Sequence, residues 1–152
     1  MADFPFSKDV ILILAEDDDG HALLTMENLR EAGVRNEILR FPDGQATLDF
    51  FLNGSYGSSV YQAGCPYLLL LDIRMPRLSG VEVLETLRRT PPFHTLPVIV
   101  LTTSDDPREV ERCYTLGCNS YIVKPVDFIA FSEALRRLGK FILIIKVPDS
   151  KS

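Results

Sequence analysis

Apolar and polar positions alternate along this chain in blocks of strand length and helix length. Continuous apolar runs at 10–15, 67–72 and 97–102 have the length and composition of strands that are covered on both faces. Two less apolar runs, 35–41 and 120–124, complete a set of five predicted strands. After each strand, apolar residues recur at three- and four-residue spacing, which predicts an amphipathic helix.

Several predicted helices carry recognisable residues at their ends. Ser79 followed three residues later by Glu82 matches a capping box at the start of the third helix. Ser104 or Asp105 is expected to cap the fourth helix. A last apolar stripe predicts a fifth helix that ends at Gly139, because glycine commonly follows the final turn of a helix.

Strand and helix alternate without an internal repeat, which predicts a parallel sheet with helices on both faces. The most apolar strands should lie in the middle of that sheet. An α/β, doubly wound, five-stranded parallel sheet in the order 2-1-3-4-5, the flavodoxin-like fold, meets both conditions. We expect one domain over 1–152 with its core at about 10–138, a long surface loop at 53–66 and an apolar C-terminal arm at 139–152.

Composition and charge argue against several functional classes. The 152-residue chain has a formal net charge of −5 and no cluster of lysine and arginine, so no nucleic-acid partner is expected. Its apolar runs are too short to cross a bilayer and its N-terminus does not resemble a signal peptide, so no membrane partner is expected. Three cysteines without a C-x-x-C pair predict neither a disulfide framework nor a zinc site. We therefore expect a soluble, cytoplasmic protein.

Functional side chains occur where the predicted strands end. Glu16 and Asp17 follow the first strand, Asp72 ends the third, Thr102 ends the fourth and Lys124 ends the fifth. Ligands of open α/β sheets bind outside the carboxyl ends of the strands, where the strand order reverses. Three carboxylates that meet there repel one another unless a cation lies among them. Mg²⁺ is favoured, because it takes a few carboxylate oxygens and keeps waters.

Each of these residues has an ordinary explanation when it is considered alone. An aspartate at a strand end often begins a turn, and acids near a helix N-terminus favour the helix. Their coincidence at one sheet edge favours a phosphoryl-transfer site in which Asp72 is the nucleophile that forms an aspartyl phosphate. Lys124 would pair with an acid or a phosphate, and Thr102 would supply a hydroxyl. His21, in the first turn of the first helix, is expected to be solvated.

From about Val10 to Leu138 the sequence resembles the receiver domain of two-component response regulators. The motifs that carry the resemblance are Ala-Glu-Asp at 15–17, Leu-Asp-Ile-Arg-Met-Pro-Arg-Leu-Ser-Gly at 71–80, Val-Leu-Thr-Thr-Ser at 100–104 and Tyr-Ile-Val-Lys-Pro at 121–125. As a set these motifs are specific to the family.

The resemblance implies roles for particular residues. Asp72 would accept a phosphoryl group from a histidine kinase. The implied Mg²⁺ ligands are Glu16, Asp17, Asp72 and the backbone carbonyl of Arg74, with Asp17 the nearer of the acidic pair. The only catalysis implied is the domain's own phosphorylation and dephosphorylation at Asp72.

The resemblance also implies a conformational switch. Thr102 would bond the phosphoryl group, and the aromatic side chain of Tyr121 would change rotamer, which alters the face formed by the fourth helix, fifth strand and fifth helix. One residue departs from the family's usual pattern. Arg74 is bulkier and more basic than the residues common at its position. Together with Ser104, two residues after Thr102, Arg74 leaves the lifetime of the phosphoryl group open.

A narrower resemblance concerns the 53–66 loop and the ending Phe-Ile-Leu-Ile-Ile-Lys-Val-Pro at 141–148. Both are similar to segments of single-domain regulators that partner bacterial phytochromes, which implies a bacteriophytochrome histidine kinase as phosphodonor. The apolar arm either folds back on its own domain or crosses to a second protomer. The second arrangement would give a homodimer that also uses the face of the fourth helix, fifth strand and fifth helix.

Two other functions compete with a phosphorylation-dependent switch. A magnesium-dependent phosphatase with an aspartate nucleophile typically has a second aspartate two residues later, where this chain has Arg74, which cannot serve as acid or base. A pseudo-receiver that only binds or dimerises would be expected to lack an acid or the lysine, and this chain keeps them. A phosphate sink or relay without its own output remains open, as do the cognate kinase and the target.

Overall fold

The computed structural model describes residues 10–144. Its strands are β1 Ile11–Ala15, β2 Ile38–Phe41, β3 Ser55–Tyr56, β4 Ser59–Val60, β5 Tyr67–Leu71, β6 Val98–Thr102 and β7 Ser120–Val123. Its helices are α1 Asp19–Glu31, α2 Gly44–Asn53, α3 Gly80–Arg88, α4 Pro107–Thr115 and α5 Phe128–Ile142. Within the described range, no helix has both the length and the apolarity needed to span a bilayer.

The main sheet is parallel and has the strand order β2-β1-β5-β6-β7. The short strands β3 and β4 pair only with each other, as an antiparallel hairpin. When the hairpin is set aside, the order along the chain is 2-1-3-4-5. The predicted doubly wound, flavodoxin-like sheet is therefore confirmed, with its reversal of strand order at the boundary between β1 and β5.

The uniformly apolar strands are explained by a hydrophobic core on each face of the sheet. In β5, Leu69 and Leu71 belong to the core that includes residues of α2 and α3, whereas Leu68 and Leu70 belong to the core that includes residues of α1 and α5. Successive side chains of a strand point to opposite faces. A strand covered on both faces therefore needs apolar residues at every position, which is the pattern in the sequence.

One predicted helix cap is confirmed and another is wrong. Ser79 and Glu82 form the capping box at the start of α3, each side chain accepting a hydrogen bond from the other residue's backbone N–H. Neither Ser104 nor Asp105 caps α4. The cap is Asp106, whose carboxylate accepts a backbone N–H of the first turn. The proline that follows Asp106 fixes the start of the helix there, because proline is favoured in the first helical turn.

The fifth helix is longer than predicted. It continues through Gly139 to Ile142, so the prediction that Gly139 ends it is wrong. A Cβ atom at Gly139 would lie 2.6 Å from the Cβ of Ala32, which is too close for two carbon atoms. Glycine therefore allows α5 to approach the end of α1 rather than stopping the helix. Residues 145–152 of the predicted arm lie outside the described residues.

The predicted surface loop at 53–66 contains the β3–β4 hairpin and returns an aromatic side chain to the domain. Tyr61 stacks on Tyr67 with ring centroids 5.3 Å apart and an interplanar angle of 22°. Its ring also meets the ring of Phe93 edge-on, with the centroids 5.4 Å apart. The backbone N–H of Gln62 donates to the hydroxyl of Tyr67 at 3.0 Å. Tyr61 and Gln62 therefore cover Tyr67, the first residue of β5, so this part of the loop packs against the domain.

Candidate functional site

The residues singled out in the sequence lie at the carboxyl ends of the strands. Glu16 directly follows β1 and Asp72 directly follows β5, and these two strands are neighbours in the sheet. Thr102 is the last residue of β6, and Lys124 directly follows β7. Because the strands are parallel, their carboxyl ends form one edge, at the position where α/β sheets of this kind bind ligands.

Three carboxylates meet at this edge. Glu16, Asp17 and Asp72 each offer an oxygen, and these oxygens lie within 4.8 Å of one another. Glu16 and Asp72 are buried, whereas Asp17 is exposed. An all-oxygen set that is open on one side suits Mg²⁺, which binds a few carboxylates and keeps several waters. The residues present therefore fit a magnesium ion, and the cation would relieve the repulsion among them.

Lys124 balances part of this negative charge. The residue is 4% exposed, and its ammonium donates hydrogen bonds to Glu16 Oε1 and to Asp72 Oδ2, the latter at 3.2 Å. Both carboxylates are also ion-pair partners of Lys124. A buried charge is tolerated only when it is paired and hydrogen-bonded. The lysine and the two buried acids therefore form one charged unit that links β1, β5 and β7.

Burial changes the acidity of Glu16. Loss of solvent raises the pKa of its carboxyl group to about 7, although the hydrogen bond and the positive charge of Lys124 act in the opposite direction. The negative charge of Asp72 adds to the increase. Near neutral pH, Glu16 is therefore divided between its protonated and ionised forms, and a bound cation would favour the ionised form.

A pH dependence of stability follows from this pKa. The folded pKa of Glu16 lies above its ordinary value of 4.5, so the contribution of this group to stability is present below pH 4.5 and is lost as pH rises through 7. Without Mg²⁺, the wild type should lose about 3 kcal/mol relative to Glu16→Gln between those pH values. Urea unfolding of both proteins at several pH values measures the difference. Parallel curves for the two proteins would contradict the prediction.

A tight turn after β5 holds the side chain of Asp72. The backbone N–H of Arg74 donates to Asp72 Oδ1 at 3.0 Å, and the N–H of Gly80 donates to the carbonyl of Ile73 at 3.0 Å. A Cβ atom at Gly80 would overlap the carbonyl oxygen of Asp72 and lie 2.7 Å from the Cα of Ile73. The start of α3 can therefore approach this turn only because residue 80 is glycine.

Arg74 joins the turn after β5 to the loop between β6 and α4. Its guanidinium donates to Ser104 Oγ at 3.1 Å and lies 3.0 Å from a carboxylate oxygen of Glu109 in α4. Tyr121 Oη donates to the carbonyl of Ser104 at 2.9 Å. The N–H of Ser104 lies 3.5 Å from Thr102 Oγ1. Arg74 and Ser104 thus connect the turn after β5 to both predicted switch residues.

Sequence reasoning missed two contacts of the site. His21 was expected to be solvated, but its Nδ1 lies 3.0 Å from the ammonium of Lys124. Its position four residues after Asp17 is the signal in the sequence that could have suggested this contact. Glu109 forms an ion pair with Arg74. The two residues are 35 positions apart in the sequence, and nothing in the sequence indicates that pair.

A known family model matches most of this chain. Residues 12–136 match the family model of the response regulator receiver domain, and the matched region includes every residue that converges at the sheet edge. The chain belongs to the response regulator receiver domain family, whose members are signalling modules.

Two curated relatives are similar over most of their length. The probable methanogenesis regulatory protein FilR2 of Methanothrix harundinacea is 34% identical over 132 residues, which cover 86% of this chain and 82% of FilR2. The response regulator Rcp1 of Synechocystis sp. is 33% identical over 115 residues, which cover 75% of this chain and 76% of Rcp1.

Solved structures agree with this assignment. A response regulator receiver domain from Rhodospirillum rubrum is 41% identical with a TM-score of 0.86, and the match covers 93% of this chain and 99% of that one. The Mn²⁺-bound form of Rcp1 has a TM-score of 0.80 at 27% identity, and the match covers 91% of this chain and 98% of that one. The phosphorylated cyanobacterial phytochrome response regulator RcpA has a TM-score of 0.78 at 27% identity, and the match covers 91% of this chain and 97% of that one.

Proposed function

We propose that this receiver domain accepts a phosphoryl group from a histidine kinase on Asp72 and then signals through phosphorylation-dependent protein contacts. The observation that carries the proposal is the buried ammonium of Lys124, bonded to Glu16 and Asp72 beside the exposed acid Asp17. Together these residues supply a nucleophile, the acids that would hold a cation, and a fixed positive charge. Phosphoryl transfer depends mainly on such positioning and electrostatic stabilisation.

In the transfer step, a carboxylate oxygen of Asp72 attacks the phosphorus of a phosphohistidine. The new P–O bond forms as the P–N bond breaks, and the imidazole leaves with the electron pair and takes up a proton. Mg²⁺ held by Glu16, Asp17, Asp72 and the backbone carbonyl of Arg74 would supply positive charge to the phosphoryl oxygens. Lys124 would donate to a phosphoryl oxygen from the side opposite the solvent, because its ammonium is buried.

The signal would leave the site through Thr102 and Tyr121. The hydroxyl of Thr102 would bond the phosphoryl group, which draws the loop after β6 toward the site. That loop includes Ser104, whose carbonyl accepts the hydrogen bond of Tyr121. A movement of the loop would therefore change the environment of the Tyr121 ring and, through it, the face formed by α4, β7 and α5.

The proposed phosphodonor is a phytochrome-type histidine kinase. Similarity to the cyanobacterial phytochrome response regulator RcpA supports this choice. FilR2 is named for the regulation of methanogenesis. The rate of phosphoryl transfer must therefore also be measured with a histidine kinase that is not a phytochrome. We expect faster transfer from a phosphorylated bacteriophytochrome kinase than from the other kinase. Transfer onward from Asp72 to a second phosphocarrier would instead identify a phosphate relay.

We further propose a homodimer through the α4–β7–α5 face, with the C-terminal arm. Tyr114, Val123, Phe128 and Ile129 on these elements are 41% to 65% exposed although apolar or aromatic, and such patches favour association. The double substitution Phe128→Ser with Ile129→Ser should convert the dimer to a monomer, as measured by size-exclusion chromatography with light scattering. Leu23→Ser is the matched control, because Leu23 is 55% exposed on α1. An unchanged mass for the double variant would refute this interface.

The test of the proposed function is an NMR titration with Mg²⁺ and beryllofluoride, which mimics a phosphoryl group. We expect shifts of the backbone signals of Thr102 and Tyr121 that require Mg²⁺ and that are absent in Asp72→Asn. A wild type that does not respond would contradict the proposal. The domain would then be a pseudo-receiver that only binds or dimerises.

A further inference from the structure

Lys124 has three N–H donors, and the phosphoryl-transfer chemistry accounts for only two of them. Two donors bond to Glu16 and Asp72. The third faces Nδ1 of His21 at 3.0 Å. Lys124 is 4% exposed, and a buried donor without an acceptor is costly. The imidazole of His21 therefore completes the hydrogen bonding of the ammonium.

The backbone of His21 is fixed in the first turn of α1, and its imidazole packs against α5. Its own backbone N–H donates to the carboxylate of Asp18 at 2.9 Å, which fixes the first turn of α1. Its ring meets the ring of Phe131 in α5 edge-on, with centroids 5.5 Å apart and an interplanar angle of 75°. Nδ1 can accept from an ammonium only when it carries no proton, so this contact requires the tautomer with its hydrogen on Nε2.

We propose that His21 is a positioning residue that holds the ammonium of Lys124 in place during phosphoryl transfer, a role that rests on the proposed function. Before transfer, one N–H of Lys124 bonds to Asp72 Oδ2. When the phosphoryl group arrives, that N–H turns to a phosphoryl oxygen. Glu16 and His21 keep the other two N–H groups, so the ammonium remains in position while one partner is exchanged.

A neutral acceptor suits this position better than a fourth carboxylate. Glu16, Asp17 and Asp72 already bring three acidic groups together, and the incoming phosphoryl group adds further negative charge. Another anion beside Lys124 would compete with the phosphoryl group for the ammonium and would repel it. His21 satisfies the third N–H of Lys124 without adding charge.

Two variants separate the acceptor role of His21 from its packing role. His21→Phe keeps a ring against Phe131 and removes the acceptor, whereas His21→Asn keeps an acceptor at the position of Nδ1 and removes the ring. Phosphorylation by acetyl phosphate with Mg²⁺, followed by intact mass, measures the rate. We expect His21→Phe to be slower by about tenfold, the effect of one hydrogen bond to a charged group, and His21→Asn to stay near wild type. The reverse order would mean that His21 serves packing alone and would overturn the proposal.

A second measurement needs no phosphodonor and no variant of His21. Long-range ¹H–¹⁵N NMR of the wild type should find Nδ1 of His21 without a proton and Nε2 protonated at neutral pH. Lys124→Met should shift the Nδ1 signal. A proton on Nδ1, or no response to Lys124→Met, would overturn the proposed contact.

The two measurements also separate this proposal from the proposed function. A wild type that takes no phosphoryl group from acetyl phosphate would refute the proposed function and the positioning role with it, while the NMR result would still stand for the contact. A wild type that is phosphorylated at the same rate as His21→Phe would refute the positioning role alone.

Discussion

Asp72→Asn should abolish phosphorylation of this protein. The amide oxygen is a far weaker nucleophile than the carboxylate oxygen, and an asparagine cannot form an acyl phosphate. We expect the rate of labelling by acetyl phosphate with Mg²⁺ to fall by at least about a thousandfold, to background. Intact mass spectrometry measures the phosphorylated fraction, and thermal unfolding checks that the variant is folded.

Asp105→Asn is the matched control for this experiment. Asp105 is an exposed aspartate in the loop after β6, and it is not a member of the acidic cluster at the sheet edge. Its variant should be labelled at the wild-type rate. If Asp72→Asn is labelled as fast as this control, the phosphoryl group is carried by another residue and the assignment of Asp72 is wrong.

Lys124→Met should lower both stability and phosphoryl acceptance. Removal of the ammonium leaves Glu16 and Asp72 buried without their counter-charge, and loss of one partner of a buried ion pair is strongly destabilising. We expect the free energy of unfolding at pH 7 to fall by about 3 kcal/mol in the absence of Mg²⁺. Phosphorylation should slow by about a hundredfold, because a fixed positive charge no longer meets the phosphoryl oxygens.

Lys140→Met provides the comparison for Lys124→Met. Lys140 is exposed in the last turn of α5, and its replacement should change the free energy of unfolding by less than about 0.5 kcal/mol. Urea unfolding of both variants measures the contrast. Equal stability of the two variants would mean that the buried charges at the sheet edge do not depend on Lys124.

The sheet and its strand order were predictable because the pattern that encodes them is local. A run such as 67–71, apolar at every position, indicates a strand covered on both faces whatever its neighbours are. The site residues were predictable for a related reason. Asp72 and Lys124 lie at strand ends, and in a parallel sheet the ends of strands meet at one edge.

Other features were not predictable, because a distant neighbour decides them. Gly139 could end a helix or permit close packing, and only the presence of Ala32 against it decides for packing. The contact of His21 joins residues more than 100 positions apart and depends on which way an imidazole turns. The same holds for the pair of Arg74 and Glu109, since long flexible side chains leave no periodic pattern in a sequence.

The pair of Arg74 and Glu109 makes the resting domain sensitive to ionic strength. It spans the turn after β5 and the first half of α4, and the arginine side chain is 56% exposed, so dissolved ions reach it. Charges at such a position attract by about 1 kcal/mol at most. The screening length falls from about 8 Å at physiological ionic strength to about 3 Å at 1 M salt, so concentrated salt weakens the pair. If the loop after β6 moves on phosphorylation as proposed, this attraction must be weakened first. Concentrated salt therefore lowers the cost of leaving the resting state, and dilute buffer raises it.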